Sequence, residues 1–175
     1  FVGGGAVGFY ILKDLKPKKV IFSDINEELI NTYMVVKNDV DSLIKELKKL
    51  KKLHSPETYY NVRAEDPKFL SRLMRASRFI YLNKTCFNWL YRVNSKNWFN
   101  VPIGDYQNPL ICPEDNLREI SELLKNVEIK NQSFEKILGQ ARKGDFIYFD
   151  PPYYPLKKSS FTTYAKTKFL EEEQK

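Results

Sequence analysis

The sequence predicts an α/β fold organised on a parallel sheet, and three stretches carry that prediction. The chain opens on Phe1-Val2-Gly3-Gly4-Gly5-Ala6-Val7-Gly8, a glycine-rich turn of the kind that joins a strand to a helix. Lys18 to Asp24 (Lys-Lys-Val-Ile-Phe-Ser-Asp) reads as a strand ending in an acid. Further on, the apolar run Asp145-Phe146-Ile147-Tyr148-Phe149 reads as another strand, which delivers Asp150-Pro151-Pro152-Tyr153. With 175 residues, 42% of them hydrophobic, the chain can bury the core of one domain.

Taken in order, the glycine turn is expected to lead into a helix through Phe9-Tyr10-Ile11-Leu12. After the strand ending at Asp24, Asn26 reads as an N-cap, with Glu27 and Glu28 in the first turn. Leu29, Ile30, Tyr33 and Met34 then form the apolar face. A strand–turn–helix–strand–acid order is that of a nucleotide-binding half-domain. Asp24 would accept ribose hydroxyls, while the glycine turn receives a polar or anionic end. Gly3, Gly5 and Gly8 also satisfy G-x-G-x-x-G, so a nicotinamide-dependent oxidoreductase stays open at this point. From Val40 to Leu53, Leu43, Ile44, Leu47, Leu50 and Leu53 recur at helical spacing, with five lysines between them that read as a solvated face. His54 has no partner in sequence and is expected at the surface. A helix over 66–81 carries Arg72, Arg75 and Arg78 on one flank, facing either phosphates or solvent. Pro113-Glu114-Asp115 opens a helix through Leu117, Ile120, Leu123 and Leu124, and Val127-Glu128-Ile129 is a short strand. Ser133 and Phe134 precede a helix over 135–141; they suit either a stacked, hydrogen-bonded base or a plain cap and core ring.

Between Asn83 and Pro113 the composition changes. Phe87, Trp89, Tyr91, Trp98, Phe99 and Tyr106 alternate with Asn88, Asn94, Asn97, Asn100 and Arg92, around a turn-like Ser95-Lys96-Asn97. A projecting hairpin or loop is expected. Asparagines are poor core residues, so the stretch reads as made to touch something polar. Arginine forks suit guanine, asparagine amides suit adenine edges and phosphates, and rings wedge between bases.

The overall charge is compatible with this. Lys and Arg number 29 against 22 Asp and Glu, a formal charge of +7 that suits a polyanionic partner without requiring one. Cys86 and Cys112 are too few and too far apart for a zinc site or a disulfide framework, which fits a reducing, cytoplasmic setting. No apolar run long enough to cross a membrane and no signal peptide are read, so no membrane partner is expected.

The chemistry centres on Asp150-Pro151-Pro152-Tyr153. Each proline fixes its φ and lacks an N–H, and Pro152 biases Pro151 towards an extended backbone. A stiff chain with free carbonyls, a carboxylate on one side and a ring on the other suits a flat, amine-bearing molecule.

These blocks together give the chain a clear resemblance. It resembles the Dam family of DNA adenine-N6 methyltransferases, the D12 class. The matching blocks are Phe1 to Gly5, Asp24-Ile25-Asn26 with Leu29-Ile30-Asn31, the stretch Phe87 to Tyr106, and Asp150-Pro151-Pro152-Tyr153 continuing to Pro155, Phe161-Thr162 and Tyr164. The resemblance implies a Rossmann-like methyltransferase sheet using S-adenosyl-L-methionine and no metal. Its core would comprise 1–65 and 113–175, with 66–112 as a helical and β-hairpin target-recognition insert. It implies cofactor contacts at Phe1, Gly3, Gly5, Asp24, Ile25, Ser133, Phe134 and Asp150, and catalysis by Asp150, Pro151, Pro152 and Tyr153. Phe87, Asn88, Leu90, Arg92, Asn94, Asn100, Pro102 and Tyr106 would contact double-stranded DNA, with GATC as the implied target. The enzyme would act as a monomer or as two copies on a palindromic site. Trp89 and Asn97 stand where the family usually has glycine, and Asp105 where a basic residue is common. The resemblance also places family segments before Phe1 and after Lys175, so a longer domain is expected. A non-catalytic DNA-binding module would leave the cofactor half unexplained. An RNA or protein-amide methylase would usually begin its tetrad with Asn.

Overall fold

The computed structural model describes residues 1–94, 96 and 98–151, and reveals a mixed α/β arrangement. Its sheet is small: β1 (Val20–Asp24) pairs in parallel with β2 (Val127–Asn131), from Val20 opposite Val127 to Asp24 opposite Asn131. Around it lie α1 (Ala6–Tyr10), continued by a π-helical turn (Ile11–Leu15), and α2 (Glu27–Asn38), α3 (Val40–Lys52) and α4 (Pro56–Ala64). They are followed by α5 (Arg72–Thr85), α6 (Glu114–Leu124) and a single turn, α7 (Glu135–Leu138). No helix among the described residues is long and apolar enough to cross a membrane.

The helices form where local signals ask for them. Asn26 Oδ1 caps α2 by accepting from the Glu28 and Leu29 amides at 3.1 and 3.2 Å. Leu29, Ile30, Tyr33, Val35 and Val36 face inward from it. Leu43, Ile44 and Leu47 bury the inner stripe of α3, and its lysines are exposed, as expected of a solvated face. One core joins Phe22 of β1 to Leu43 and Leu47 of α3, Tyr81 and Leu82 of α5, and Leu124 of α6. Burying a side chain of this size contributes about 1.5–3 kcal/mol.

Several expectations are corrected. Asp145–Phe149 is not a strand: the segment is exposed and has no ladder partner among the described residues. A strand needs a free neighbouring edge, and the edges of β1 are already engaged. One edge of β1 is taken by β2, while on the other Ser23 O accepts from the Phe1 and Val2 backbone nitrogens, each at 3.0 Å. The helix expected over 135–141 stops after one turn at Leu138, and Ser133 gives no side-chain cap. The helix expected over 66–81 begins at Arg72, after a 3-10 turn (Pro67–Phe69). α4 was not anticipated, although Ser55 caps it onto the Thr58 amide and Pro56 occupies its first position, both readable start signals.

The arginine flank does not face phosphates as a unit. Arg75 pairs with Glu27 and Glu28, tying α5 to the start of α2. Arg78 is 7% exposed and donates to the Val62 and Arg63 carbonyls at 2.9 and 2.8 Å, closing the C-terminus of α4. Only Arg72 of the three is exposed. His54 is likewise not a surface residue. It is half-buried, with Nδ1 2.8 Å from the Tyr81 hydroxyl, and burial lowers its pKa from the usual histidine range.

Pro152, Tyr153, Pro155, Phe161-Thr162, Tyr164 and the turn residues Ser95 and Asn97 lie outside the described residues.

Candidate functional site

The glycine turn is held by groups far away in sequence. Gly3 (φ +50°) and Gly5 (φ +74°) take up left-handed conformations that glycine adopts without a Cβ clash. The Gly3 amide donates to Asp24 Oδ2 at 3.2 Å, and its carbonyl accepts from the Tyr33 hydroxyl at 2.8 Å. Both backbone polar groups of Gly3 are therefore fixed, one by β1 and one by α2. Burial, and secondarily the nearby Asp24 charge, pushes the Tyr33 pKa above the usual tyrosine range, so its hydroxyl remains a donor. A Cβ built on Gly3 or Gly4 meets nothing within 4 Å, whereas on Gly5 it would strike the Phe9 ring at 2.6 Å and the Tyr33 hydroxyl at 2.7 Å. The turn is packed behind and open in front.

Asp24 is 2% exposed, and its other oxygen accepts from the Asn26 amide at 2.9 Å. The expected ribose acceptor thus organises the turn first. Each oxygen keeps a further lone pair, but no open face. Beside it, Ile25 is 49% exposed, and Asn131 Nδ2 donates to the Asp24 and Ile25 carbonyls at 3.0 and 3.1 Å. The ring of Phe1 stacks on Phe134 with centroids 5.3 Å apart, and Phe149 meets Phe1 and Phe134 edge-on at 6.4 and 6.1 Å. Phe149 brings its neighbour, the exposed Asp150, to the same rim. That rim is the carboxyl end of the parallel strands, where ligands sit in open α/β sheets. Gln132 Nε2 is buried there with no hydrogen-bond partner among the described residues, an unused donor.

A cleft of about 690 Å³ runs from Gly3, Gly4 and Tyr33 to Asn88, Leu90 and Tyr91. At its far end, residues 86–94 and 98–103 form an antiparallel ribbon bridged at Cys86–Ile103 and Val93–Phe99. Asn94 N donates to Trp98 O at 2.9 Å and Asn100 N to Arg92 O at 3.2 Å. Val93, Phe99 and Val101 bury one side, while Phe87, Asn88, Asn100 and Pro102 are exposed on the other. Arg92 Nε donates to Asn100 Oδ1 at 2.7 Å, which orients its guanidinium. Asn94 Oδ1 accepts from the Lys96 and Trp98 amides at 2.9 and 3.0 Å, so this asparagine shapes the ribbon's turn.

Comparison with known proteins identifies the assembly. The sequence profile of the D12 class N6 adenine-specific DNA methyltransferases matches residues 1–175. The chain belongs to this family. It is 50% identical over 185 residues to the type II methyltransferase M.MjaIII of Methanocaldococcus jannaschii, covering 99% of this chain and 64% of that protein. It is 44% identical over 181 residues to the type II methyltransferase M1.LlaDCHI of Lactococcus lactis subsp. cremoris, covering 99% and 62%. Against the DNA adenine methylase of Escherichia coli (strain K12) it is 34% identical over 177 residues, covering 99% and 62%. The chain thus spans less than two thirds of the length of these relatives.

For a D12-class chain, the grouping of predicted residues is informative. Phe1, Gly3, Gly5, Asp24, Ile25, Phe134 and Asp150 converge on one rim, with Ser133 half-buried beside Phe134. Phe87, Asn88, Leu90, Arg92, Asn94, Asn100, Pro102 and Tyr106 share the ribbon and the loop after it. Sequence reasoning placed Tyr33 only on an apolar helix face and did not single out Gln132 or Phe149. A tyrosine on an inward face needs a partner for its hydroxyl, and that signal was readable.

Proposed function

We propose that the protein transfers a methyl group from S-adenosyl-L-methionine to N6 of an adenine extruded from double-stranded DNA, with GATC as its target. The observation that carries this reading is the contact of Phe149 with Phe1 and Phe134, which sets Asp150 beside the glycine turn.

The rim fits such a methyl donor. Open space lies against Gly3 and Gly4, Ile25 and Phe134 offer apolar surface to an adenine plane, and Gln132 holds an unused donor. Gly3, Gly5, Ile25, Ser133 and Phe134 would hold the donor molecule, with Asp24 fixing the turn from behind and Phe1 backing Phe134. When bound, S-adenosyl-L-methionine supplies a methyl group already activated by its sulfonium. The task left to the chain is to improve a poor nucleophile, because the N6 lone pair of adenine is delocalised into the ring. Asp150 and the Pro151 carbonyl would each accept one N–H of the amine, pulling it towards sp³ geometry and localising the lone pair. Tyr153 would stack on the extruded base and Pro152 would stiffen the approach. Arg92, oriented by Asn100, would read a guanine in the major groove, with Leu90, Pro102 and Tyr106 beside neighbouring bases and Phe87 and Asn88 at the point of insertion. The parallel pair β1–β2 would belong to a larger Rossmann-like sheet, with 66–112 as its target-recognition insert. The product would serve either protection against a partner restriction enzyme or DNA marking.

Incubating the full-length protein with methyl-labelled S-adenosyl-L-methionine and a duplex holding one GATC tests this. Label on adenine N6 is expected, together with its loss in Asp150→Ala while duplex affinity stays within about twofold. Label on cytosine, or full transfer by Asp150→Ala, would overturn the reading.

A further inference from the structure

Trp89 is an outlier in both conformation and exposure. Its φ is +50°, directly after Asn88 at φ +52°. Asparagine visits the left-handed region readily, but a bulky residue there costs about 1–2 kcal/mol and is retained where its surroundings hold it or its position is used. Here the surroundings do hold it. The Trp89 amide donates to Cys86 O at 3.2 Å, and its carbonyl accepts from Asn83 Nδ2 at 3.2 Å. Core packing is not what the strain secures, because Trp89 is 62% exposed.

The indole is mounted on a layered support. It stacks on Tyr106 with centroids 5.4 Å apart and planes only 7° from parallel. The Tyr106 ring in turn lies against Gly104, where a Cβ would collide with that ring and come within 2.9 Å of Cys86 O. Trp89 is thus the outermost ring of a stack anchored to backbone. It borders a hollow of about 440 Å³ that also presents Lys84, Asp105, Gln107 and Asn108, a cation, a carboxylate and two amides. It borders the long cleft to the glycine turn as well.

We propose that Trp89 is a stacking platform for a nucleobase of the bound DNA, an added contact at a position where the resemblance leads one to expect glycine. The inference rests on the proposed DNA substrate. The free part of the indole takes a base face, Lys84 lies within the same hollow as a counter-charge for the strand, and the two amides can meet base edges. Stacking is indifferent to base identity, so the platform adds affinity and positioning while Arg92 supplies sequence discrimination. Tyr106, expected to meet a base itself, acts here as the layer beneath.

The test uses the full-length protein. Trp89→Gly removes the ring and relieves the backbone strain, so thermal stability should hold or rise while duplex affinity falls about 5- to 140-fold, the range for one base–aromatic stack. Trp89→Phe should keep affinity within about threefold of the wild type. With Trp98 and every tryptophan outside these 175 residues changed to Phe, Trp89 is the sole indole emitter, and its emission should be quenched when duplex binds. Unchanged affinity in Trp89→Gly, or emission unaltered at saturating duplex, overturns the platform. If wild-type protein labels adenine yet either of these results appears, only the platform fails. If wild-type protein binds no duplex and labels no adenine, the functional reading fails first and the platform with it.

Discussion

In the glycine turn the positive-φ positions are Gly3 and Gly5; among the described residues of the ribbon they are Asn88 and Trp89. The turn is shaped from behind by buried partners, with Asp24 and Tyr33 gripping Gly3 at its amide and carbonyl and Phe9 filling the space beside Gly5. The ribbon is shaped from its edges, by backbone bridges and by amide side chains such as Asn94 and Asn100, while its outer rings face solvent. The same dihedral thus serves different ends. Glycine gives the turn a conformation without strain and a bare backbone in front, suited to a ligand that must always sit in one place. The ribbon accepts strain to push a ring outward, suited to a partner that must be met and gripped.

Four perturbations separate these two regions. The largest effect is expected from Gly5→Ala, which combines a left-handed alanine with overpacking against Phe9 and Tyr33 and should cost about 2–4 kcal/mol in chemical denaturation. An unchanged midpoint would show that the turn is not held from behind. Next, Arg92→Ala should lose about 1–3 kcal/mol of discrimination at one guanine, read from methyl transfer on single-base variants of GATC. Stability should barely move; a melting shift as large as that of Gly5→Ala would erase the contrast. A smaller loss is expected from Tyr33→Phe, which removes one hydrogen bond to Gly3 O and should weaken calorimetric S-adenosyl-L-methionine binding by about 0.5–1.5 kcal/mol. Equal weakening of duplex binding would mean that the hydroxyl does not act through the turn.

The smallest effect belongs to the scaffold beneath the ribbon, where His54 meets Tyr81 and the Tyr59 hydroxyl donates to Val101 O at 2.9 Å. Because burial lowers the folded-state pKa of His54 below its ordinary 6.5, the unfolded chain binds the proton first as pH falls. Stability is therefore whole above about 6.5 and declines as pH drops from there towards the folded pKa. His54→Gln should flatten the melting temperature between pH 7 and 5.5. An identical pH slope in the variant would remove His54 from the account.

How far the sequence reached differs between these regions. The ribbon's aromatic and amide content marked the stretch out in the sequence, and Arg92 lies on it, with Tyr106 in the loop that follows. What the amides do was not legible: Asn94 and Asn100 looked like DNA ligands, yet each first serves the ribbon, because hydrogen-bond partners depend on which backbone passes nearby. At the turn, the glycines and Asp24 were legible as a unit from spacing alone, whereas Tyr33 was hidden in a hydrophobic pattern that says nothing of where a hydroxyl points.

By itself, the sequence determined the elements whose causes are local: the Asn26-capped α2, the amphipathic α3, the start of α6, and two short β-branched runs that pair in parallel. Caps and periodicity act within a few residues, so they can be read along the chain. Tertiary structure alone decided that Arg78 would close α4 rather than face phosphates, and that Asp145–Phe149 would meet the rim through a phenylalanine ring rather than through a ladder. Both outcomes turn on which buried carbonyls and which strand edges are already taken, a matter settled only when distant segments come together.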